Sequence, residues 1–452
     1  MKVLVSDIVN ATGGKLLSGD MNKEINHIAI DSRVMEGNDL FIPIIGEKTD
    51  GHLYIDKALA NGAAATLTSK TDIALDDEHS YVLVDDTVMA LQKIGEYLRS
   101  EFKMPFVGIT GSSGKTTTRE MVACALLAGK KVTATAGNSN SQIGVPITLS
   151  KLDKDADVAV MELGVSMPGE MSRLAKMARV DVAIMINIGV AHIEHLGLRE
   201  NILKEKLHIT DGFTKDNTLI LNGDDDMLRT LKGEDFCKII SYGFNEDNNV
   251  RATCVIESED GTKFTAYVFD KKVQVNLGVF GRHNVYNALA ALAACYTLGV
   301  DLDAAARRLA TFKGFPRRFE SKKMNGFTVI DDSYNANPDS MKAALKALAG
   351  LNTSGRKIAV LADMFELGEG SFDMHSDVGR FAKDLNFDKV ITIGSYAKNI
   401  SNEIEGSINA CSNEEAFAKI KDIIKKDDVI LVKGSNGMHL DKLVKLLEEI
   451  KI

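Results

Sequence analysis

A chain of 452 residues is too long to bury a single core and points to about three domains. With 45% hydrophobic and 26% charged residues it reads as a folded globular protein, not a disordered one. The net charge of −9 and pI near 5.6 argue against nucleic acid as a partner, which needs a basic face, but leave room for small anions held by local Lys, Arg and backbone N–H groups.

Residues 1–102 carry short strand-like runs at 39–45 and 81–84 and a helical pattern over 88–102. An apolar run at 105–109 then meets Thr110-Gly111-Ser112-Ser113-Gly114-Lys115-Thr116-Thr117 and a second helical pattern. Glycines there let a tight loop aim its N–H groups at phosphate oxygens, and the helix N-terminus adds positive charge. Lys115 can reach terminal phosphates and Thr116 can hold Mg²⁺, so an ATP-consuming protein is the leading reading. The strict G-x-x-x-x-G-K-[ST] spacing is broken, because Ile109 stands at its first glycine.

From 103 to 314 the pattern runs strand, helix, strand. One buried run, 158–161, ends at Glu162, and another, 182–186, ends at Asn187, the strand ends at which α/β sheets place ligands. Glu162 reads either as a Mg²⁺ carboxylate or as a solvated loop residue. His192 follows the second run, and Lys204-Glu205-Lys206 falls on a helix where periodicity alone gives an exposed charged face. Gly314 to Arg318 reads as a hinge or a surface turn. Residues 315–452 repeat the α/β alternation with runs at 357–361, 389–393 and 429–432.

The five cysteines (Cys124, Cys237, Cys254, Cys295 and Cys411) are scattered and form no C-x-x-C pair, a pattern of reduced thiols without a zinc site. No basic region followed by a long apolar segment opens the chain, and no run reaches the roughly 18 apolar residues of a membrane span. A cytoplasmic protein is expected.

Together these segments resemble the Mur ligase family over essentially the whole chain. The resemblance lies in TGSSGKTTTRE (110–120), GNSNSQIGVP (137–146), MELG (161–164), AHIEHLG (191–197) followed by Lys206, GRHNVYNALAA (281–291) and FPRRFE (315–320). MELGVSMPGEM (161–171), DDSYNANP (331–338), DMFELGEGS (363–371) and VKGSNGM (432–438) point to the branch that adds D-alanyl-D-alanine. No Asp-Asn-Pro-Arg motif of the lysine- or diaminopimelate-adding branch occurs. In the first segment Asp31-Ser32-Arg33, Asp39-Leu40-Phe41, Gly46 and Asp50-Gly51-His52 resemble the family's UDP-binding domain. Asn38 replaces a usual glycine, which asparagine can do because it tolerates the left-handed conformation. Ser141 replaces a frequent Asn, Asn436 and His439 stand where Arg is expected, and Asp441 where Glu is usual.

The resemblance implies three α/β domains: a UDP-binding domain over 1–102, a central P-loop ATPase domain with a mostly parallel sheet over 103–314, and a Rossmann-like domain over 315–452. It implies an ATP-dependent ligase that joins D-alanyl-D-alanine to UDP-N-acetylmuramoyl-tripeptide, acting as a monomer. Lys115, Lys206 and His192 would be catalytic, and Gly111 to Thr117 with Asn287, Arg318 and Asp332 would hold ATP. Thr116 and Glu162 would serve one Mg²⁺, and His192 with a carbamylated Lys206 the other. Ser32, Arg33, Asp50, Gly51, His52, Asn138, Asn140, Tyr334, Asn335 and Asn337 would contact the UDP-peptide. A folylpolyglutamate-type ligase would lack the DSR and DGH segment, and an ATP-switch protein would leave Lys206 and DDSYNANP without a role.

Overall fold

The structure, a computed structural model, describes residues 2–258 and 261–452. Its first sheet has five strands in the order Lys15–Ser18, Ser80–Leu83, Ala63–Thr68, Asp39–Phe41 and His27–Ala29. All its ladders are parallel except the one to Lys15–Ser18. The run expected over 39–45 ends as a strand at Phe41, and Pro43, which lacks an N–H for a ladder, follows two residues later. Asn38 has φ +54°, so asparagine does supply the left-handed turn before this strand. Helix Thr87–Ser100 starts where Asp86 accepts from Met89 N at 2.7 Å.

The central sheet has nine strands. Phe106–Thr110 lies between Val182–Met185 and Val158–Glu162, and both ladders are parallel. Chain order reverses around this strand, which opens a crevice beyond its carboxyl end. All three strands are buried along their length, as parallel strands covered on both faces must be. Gly108 carries no side chain because Val180 occupies that space; a Cβ there would sit 2.6 Å from a Val180 methyl. Beyond Thr218–Asn222 and Lys238–Gly243 the sheet continues into an antiparallel extension, Val250–Ser258, Gly261–Val268 and Lys271–Leu277.

The third sheet runs Glu320–Lys323, Thr328–Asp332, Val429–Lys433, Lys357–Ala362, Lys389–Ile393 and Ile408–Ala410, parallel after its first ladder. Asp332 and Lys433 are paired at the carboxyl ends of adjacent strands. A tight turn joins this segment to the centre: Gly314 has φ +87°, Arg317 has φ +62°, and Phe315 bridges to Arg318.

The cores show which parts are built together. Ile8, Leu40 and Leu91 of the first segment share one core with Met161, Ala183 and Leu219 of the central sheet. Most of the third segment's apolar residues form two cores of their own, one on each face of its sheet. Among the described residues no helix is long and apolar enough to cross a membrane.

Candidate active site

The glycine-rich loop turns back on itself because Gly114 takes φ +81°, after which helix Lys115–Leu126 begins. Asn187, at the end of the neighbouring strand, braces it. Its Oδ1 accepts from Ser112 N at 3.0 Å and Ser113 N at 2.9 Å, while its Nδ2 donates to Ser113 Oγ at 3.2 Å. Lys115 Nζ folds over the loop and donates to Gly111 O at 2.8 Å. Burial pulls the Lys115 ammonium below the usual lysine range, and the nearby Arg318 charge adds to that, although Glu162 opposes it.

Glu162 is the hub of the next layer. Its Oε2 accepts from Thr116 Oγ1 at 2.8 Å, its Oε1 accepts from Asn140 Nδ2 at 2.7 Å, and Arg119 Nη1 lies 3.6 Å from Oε2. The solvated-loop alternative for Glu162 is therefore wrong: the residue is 2% exposed. Arg119 also donates to Gly137 O at 2.6 Å, which ties the 137–142 loop to the helix.

Lys206 is buried and Lys204 exposed on helix Arg199–Leu207, so the periodicity reading of 204–206 as a charged outer face is corrected. The reason is Glu205, which accepts from Gly169 N and Met171 N, each at 2.8 Å, and so pins this face inward at the start of helix Glu170–Ala178. The Lys206 side chain has no hydrogen bond or ion pair among the described residues. Burial, then repulsion from Lys115, holds its amine well below the usual lysine range. Burying a lysine without a partner favours the neutral amine.

The third segment closes the opposite side. Arg318 stacks its guanidinium 4.0 Å from the Tyr334 ring centre, and its Nε is buried without a partner. Lys433 Nζ lies 2.6 Å from Asp332 Oδ2 and donates to Asn335 O at 3.0 Å. Burial raises the Asp332 carboxyl above the usual range against the downward pull of Lys433. Asn337 caps helix Pro338–Gly350 through Ser340 N at 2.8 Å. Asn287 Oδ1 accepts from Thr118 Oγ1 at 2.9 Å.

These residues meet around one cavity of about 600 Å³. Ser112, Ser113, Gly114, Lys115, Thr116, Thr117, Asn138, Asn140, Glu162, His192, Asn287, Arg318, Asp332, Tyr334, Asn335 and Asn337 line it. Gly111 and Lys206 do not line it. Ser32, Arg33, Asp50, Gly51 and His52 do not line it and belong to the first segment. There Arg33 Nη2 donates to Asp31 Oδ2 at 2.6 Å, which with the Arg33 backbone N–H pulls the Asp31 carboxyl down to about 2. Ser69 N donates to His52 Nε2 at 3.1 Å, so Nδ1 carries the proton it gives to Asp50 Oδ1 at 2.7 Å.

Two unusual residues find a partner. Asn436 Oδ1 accepts from Arg317 Nη2 at 3.2 Å, and Asp441 Oδ1 lies 3.8 Å from the same nitrogen. His439 takes φ +51° before helix Leu440–Leu447. Among the described residues no three His, Cys, Asp or Glu side chains gather as a metal site; beside the glycine-rich loop the candidate donors are the Thr116 hydroxyl, the Glu162 carboxylate and the His192 imidazole.

Sequence reasoning missed Arg119 and the bracing role of Asn187, as well as Asp339 and Glu366, which reach the 187–192 loop from the third segment. Arg119 had a signal: it lies three residues after Thr116, on the same helical face. Glu366 lies inside the DMFELGEGS segment, which did not say what it touches, and Asp339 had no signal, since only tertiary packing brings both there.

A model of the Mur ligase middle domain matches residues 109–295. Models of the Mur ligase glutamate ligase domain and the Mur ligase family catalytic domain match residues 317–436 and 24–99. The chain is 35% identical to UDP-N-acetylmuramoyl-tripeptide–D-alanyl-D-alanine ligase of Bacillus subtilis, with 99% of each chain covered. It superposes on a crystal structure of MurF from Acinetobacter baumannii with TM-score 0.92 at 31% identity, covering 100% of this chain and 99% of that one. MurF ligase from Thermotoga maritima in complex with ADP gives TM-score 0.85 at 29% identity, covering 94% and 97%.

Proposed function

The chain belongs to the Mur ligase family, and from that membership we infer an ATP-dependent, ADP-forming ligase that adds D-alanyl-D-alanine to UDP-N-acetylmuramoyl-tripeptide in peptidoglycan precursor synthesis. The observation that carries this is one cavity in which the glycine-rich loop faces Arg318, Asp332 and Lys433, in a chain matched end to end by ligases of that name.

A carboxylate is a poor electrophile, so amide formation needs a leaving group. A tripeptide carboxylate oxygen attacks the γ-phosphorus of ATP, the bond to the β–γ bridging oxygen breaks, and ADP departs, leaving an acyl phosphate. The amine of D-alanyl-D-alanine attacks the acyl carbon; inorganic phosphate leaves with the bonding pair, and the amine loses a proton. Carboxylate and triphosphate repel by several kcal/mol at about 4 Å and an effective dielectric near 20, so fixed cations must intervene.

The residues can meet that need. Loop N–H groups exchange Asn187 Oδ1 for phosphate oxygens, and Lys115 exchanges Gly111 O for a terminal phosphate. Arg318 offers its unpaired Nε, Asn287 lies against adenine, and Asp332 receives the ribose hydroxyls. Closing the third segment over the loop keeps water from the acyl phosphate. Ser32, Arg33, Asp50, Gly51 and His52 hold the UDP end, and Asn138, Asn140, Tyr334, Asn335 and Asn337 the peptide end.

The donors also fit Mg²⁺. Thr116 Oγ1 and Glu162 Oε2 are hard oxygen donors 2.8 Å apart. Lys206, whose charged form burial disfavours, can add CO₂ with loss of a proton and so become a carboxylate-like ligand alongside His192. Bound there, two Mg²⁺ ions would offset the negative charge of the transferring phosphoryl group.

The test is a coupled assay. With all three substrates the product mass should equal the UDP-pentapeptide, and ADP release should require the UDP-tripeptide and rise sharply with D-alanyl-D-alanine. Lys115→Ala should abolish release. Equal ATP hydrolysis without either substrate would sink the ligase reading.

A further inference from the structure

The 363–367 stretch is held in one shape by groups on its own segment. Met364 N donates to His375 Nε2 at 2.9 Å, and His375 Nδ1 donates to Ser371 O at 2.6 Å. Phe365 N donates to Ser435 Oγ at 2.9 Å. His375 is fully buried, so this anchor is stiff. It presents Glu366 with φ +62°, a left-handed conformation unfavourable for a glutamate. Opposite stands His192, itself at φ +58°. Strained backbone at two facing residues persists only where the surroundings enforce it, and such sites concentrate at functional contacts.

The two side chains meet across the gap between segments. Glu366 Oε2 lies 2.5 Å from His192 Nδ1, off the line of a settled hydrogen bond. A small ring rotation would align it, as catalytic hydrogen bonds commonly do when ligands arrive. His192 also lines the cavity, and its Nε2 has no hydrogen-bond partner among the described residues. A second contact clamps the same loop: Asp339 Oδ2 accepts from Val190 N at 3.2 Å. A Cβ at residue 189 would lie 2.1 Å from that oxygen, so a side chain there would displace the Asp339 carboxylate.

We propose that Glu366 is a positioning residue that fixes the His192 ring through Nδ1, so that Nε2 is aimed into the cavity only when the third segment has closed. Ordering of the cation-side imidazole thereby depends on closure, which guards against phosphoryl transfer in an open, wet site. A carboxylate on the far nitrogen of a ligating histidine sets its tautomer and basicity. This inference rests on the ligase reading and on His192 facing a Mg²⁺.

The test is a double-mutant cycle with two readouts: turnover, and calorimetric binding of a non-hydrolysable ATP analogue at limiting Mg²⁺. Glu366→Ala should lower turnover and weaken analogue binding by about 10–100-fold, the usual scale for losing such an outer partner. Glu366→Gln keeps an acceptor and should recover most of both, with unchanged thermal unfolding. In a His192→Ala background, Glu366→Ala should cost nothing more. Full loss in both backgrounds, or no loss in the first, overturns the coupling alone. A His192→Ala variant that binds the analogue and Mg²⁺ like wild type overturns the cation placement and the coupling with it.

Discussion

Lys206 is the residue where burial and function meet most directly. Carbamate forms only from a neutral amine, and an exposed lysine, with a pKa of about 10.4, would be almost wholly charged. Its burial and the Lys115 charge push it the right way. Lys206→Ala should lower turnover about 100-fold or more, the scale for losing a preorganised electrostatic group, while UDP-tripeptide binding persists. Added formate or acetate should restore part of the rate by filling the vacated ligand position. Lys204→Ala, roughly 200° around the helix and exposed, should stay near wild type. Inactive Lys204→Ala with active Lys206→Ala would mean that the register of this motif is misread.

At the scale of elements, helix Thr87–Ser100 shows how the first segment is locked to the centre. Gly95 faces Pro146, and a Cβ there would lie 2.8 Å from Pro146 Cβ. Alanine gains about 0.5–1 kcal/mol of helix preference, whereas overpacking costs about 1–3 kcal/mol, so the clash wins. Gly95→Ala should lower the denaturation midpoint, and Gly95→Val should lower it further. Gly233→Ala, with nothing within 4 Å of its Cβ, is the control. A stabilised Gly95→Ala would mean the two helices can separate freely. The strands beside the site were legible because parallel strands buried on both faces read as unbroken apolar runs, as at Phe106–Thr110 and Val158–Glu162. The antiparallel extension went unread: Val250–Ser258 ends in four residues of which three are exposed, although Lys271–Leu277 does alternate, burying Val273, Val275 and Leu277. The glycine-rich loop, Glu162 and His192 were legible by motif. Glu366 sat inside the DMFELGEGS motif and Asp339 in none, but for neither does the sequence mark what it touches.

Across the whole molecule, the separate cores decide what can move. The first and central segments share apolar packing, whereas the third keeps most of its own and is joined through the turn at Gly314. On the proposed function, closure would be a swing of the third segment against the other two. Arg318→Ala and Asp332→Ala should each raise the ATP Michaelis constant and lower turnover by about 10-fold or more, as expected for losing a hydrogen bond to a charged group. The compaction that small-angle scattering records on adding ATP analogue and UDP-tripeptide should shrink in both. Wild-type constants together with wild-type compaction would show that the third segment does not grip the nucleotide.

Lys433 sits on the last strand of the fold, hundreds of residues after the loop it faces. During synthesis the glycine-rich loop emerges early and can fold against the first segment long before its counterpart exists. A chain cut short just before that strand keeps Arg318, Asp332 and Tyr334 in sequence but lacks the cation beside Asp332. The Lys433–Asp332 pair therefore forms only when the last strand joins its sheet.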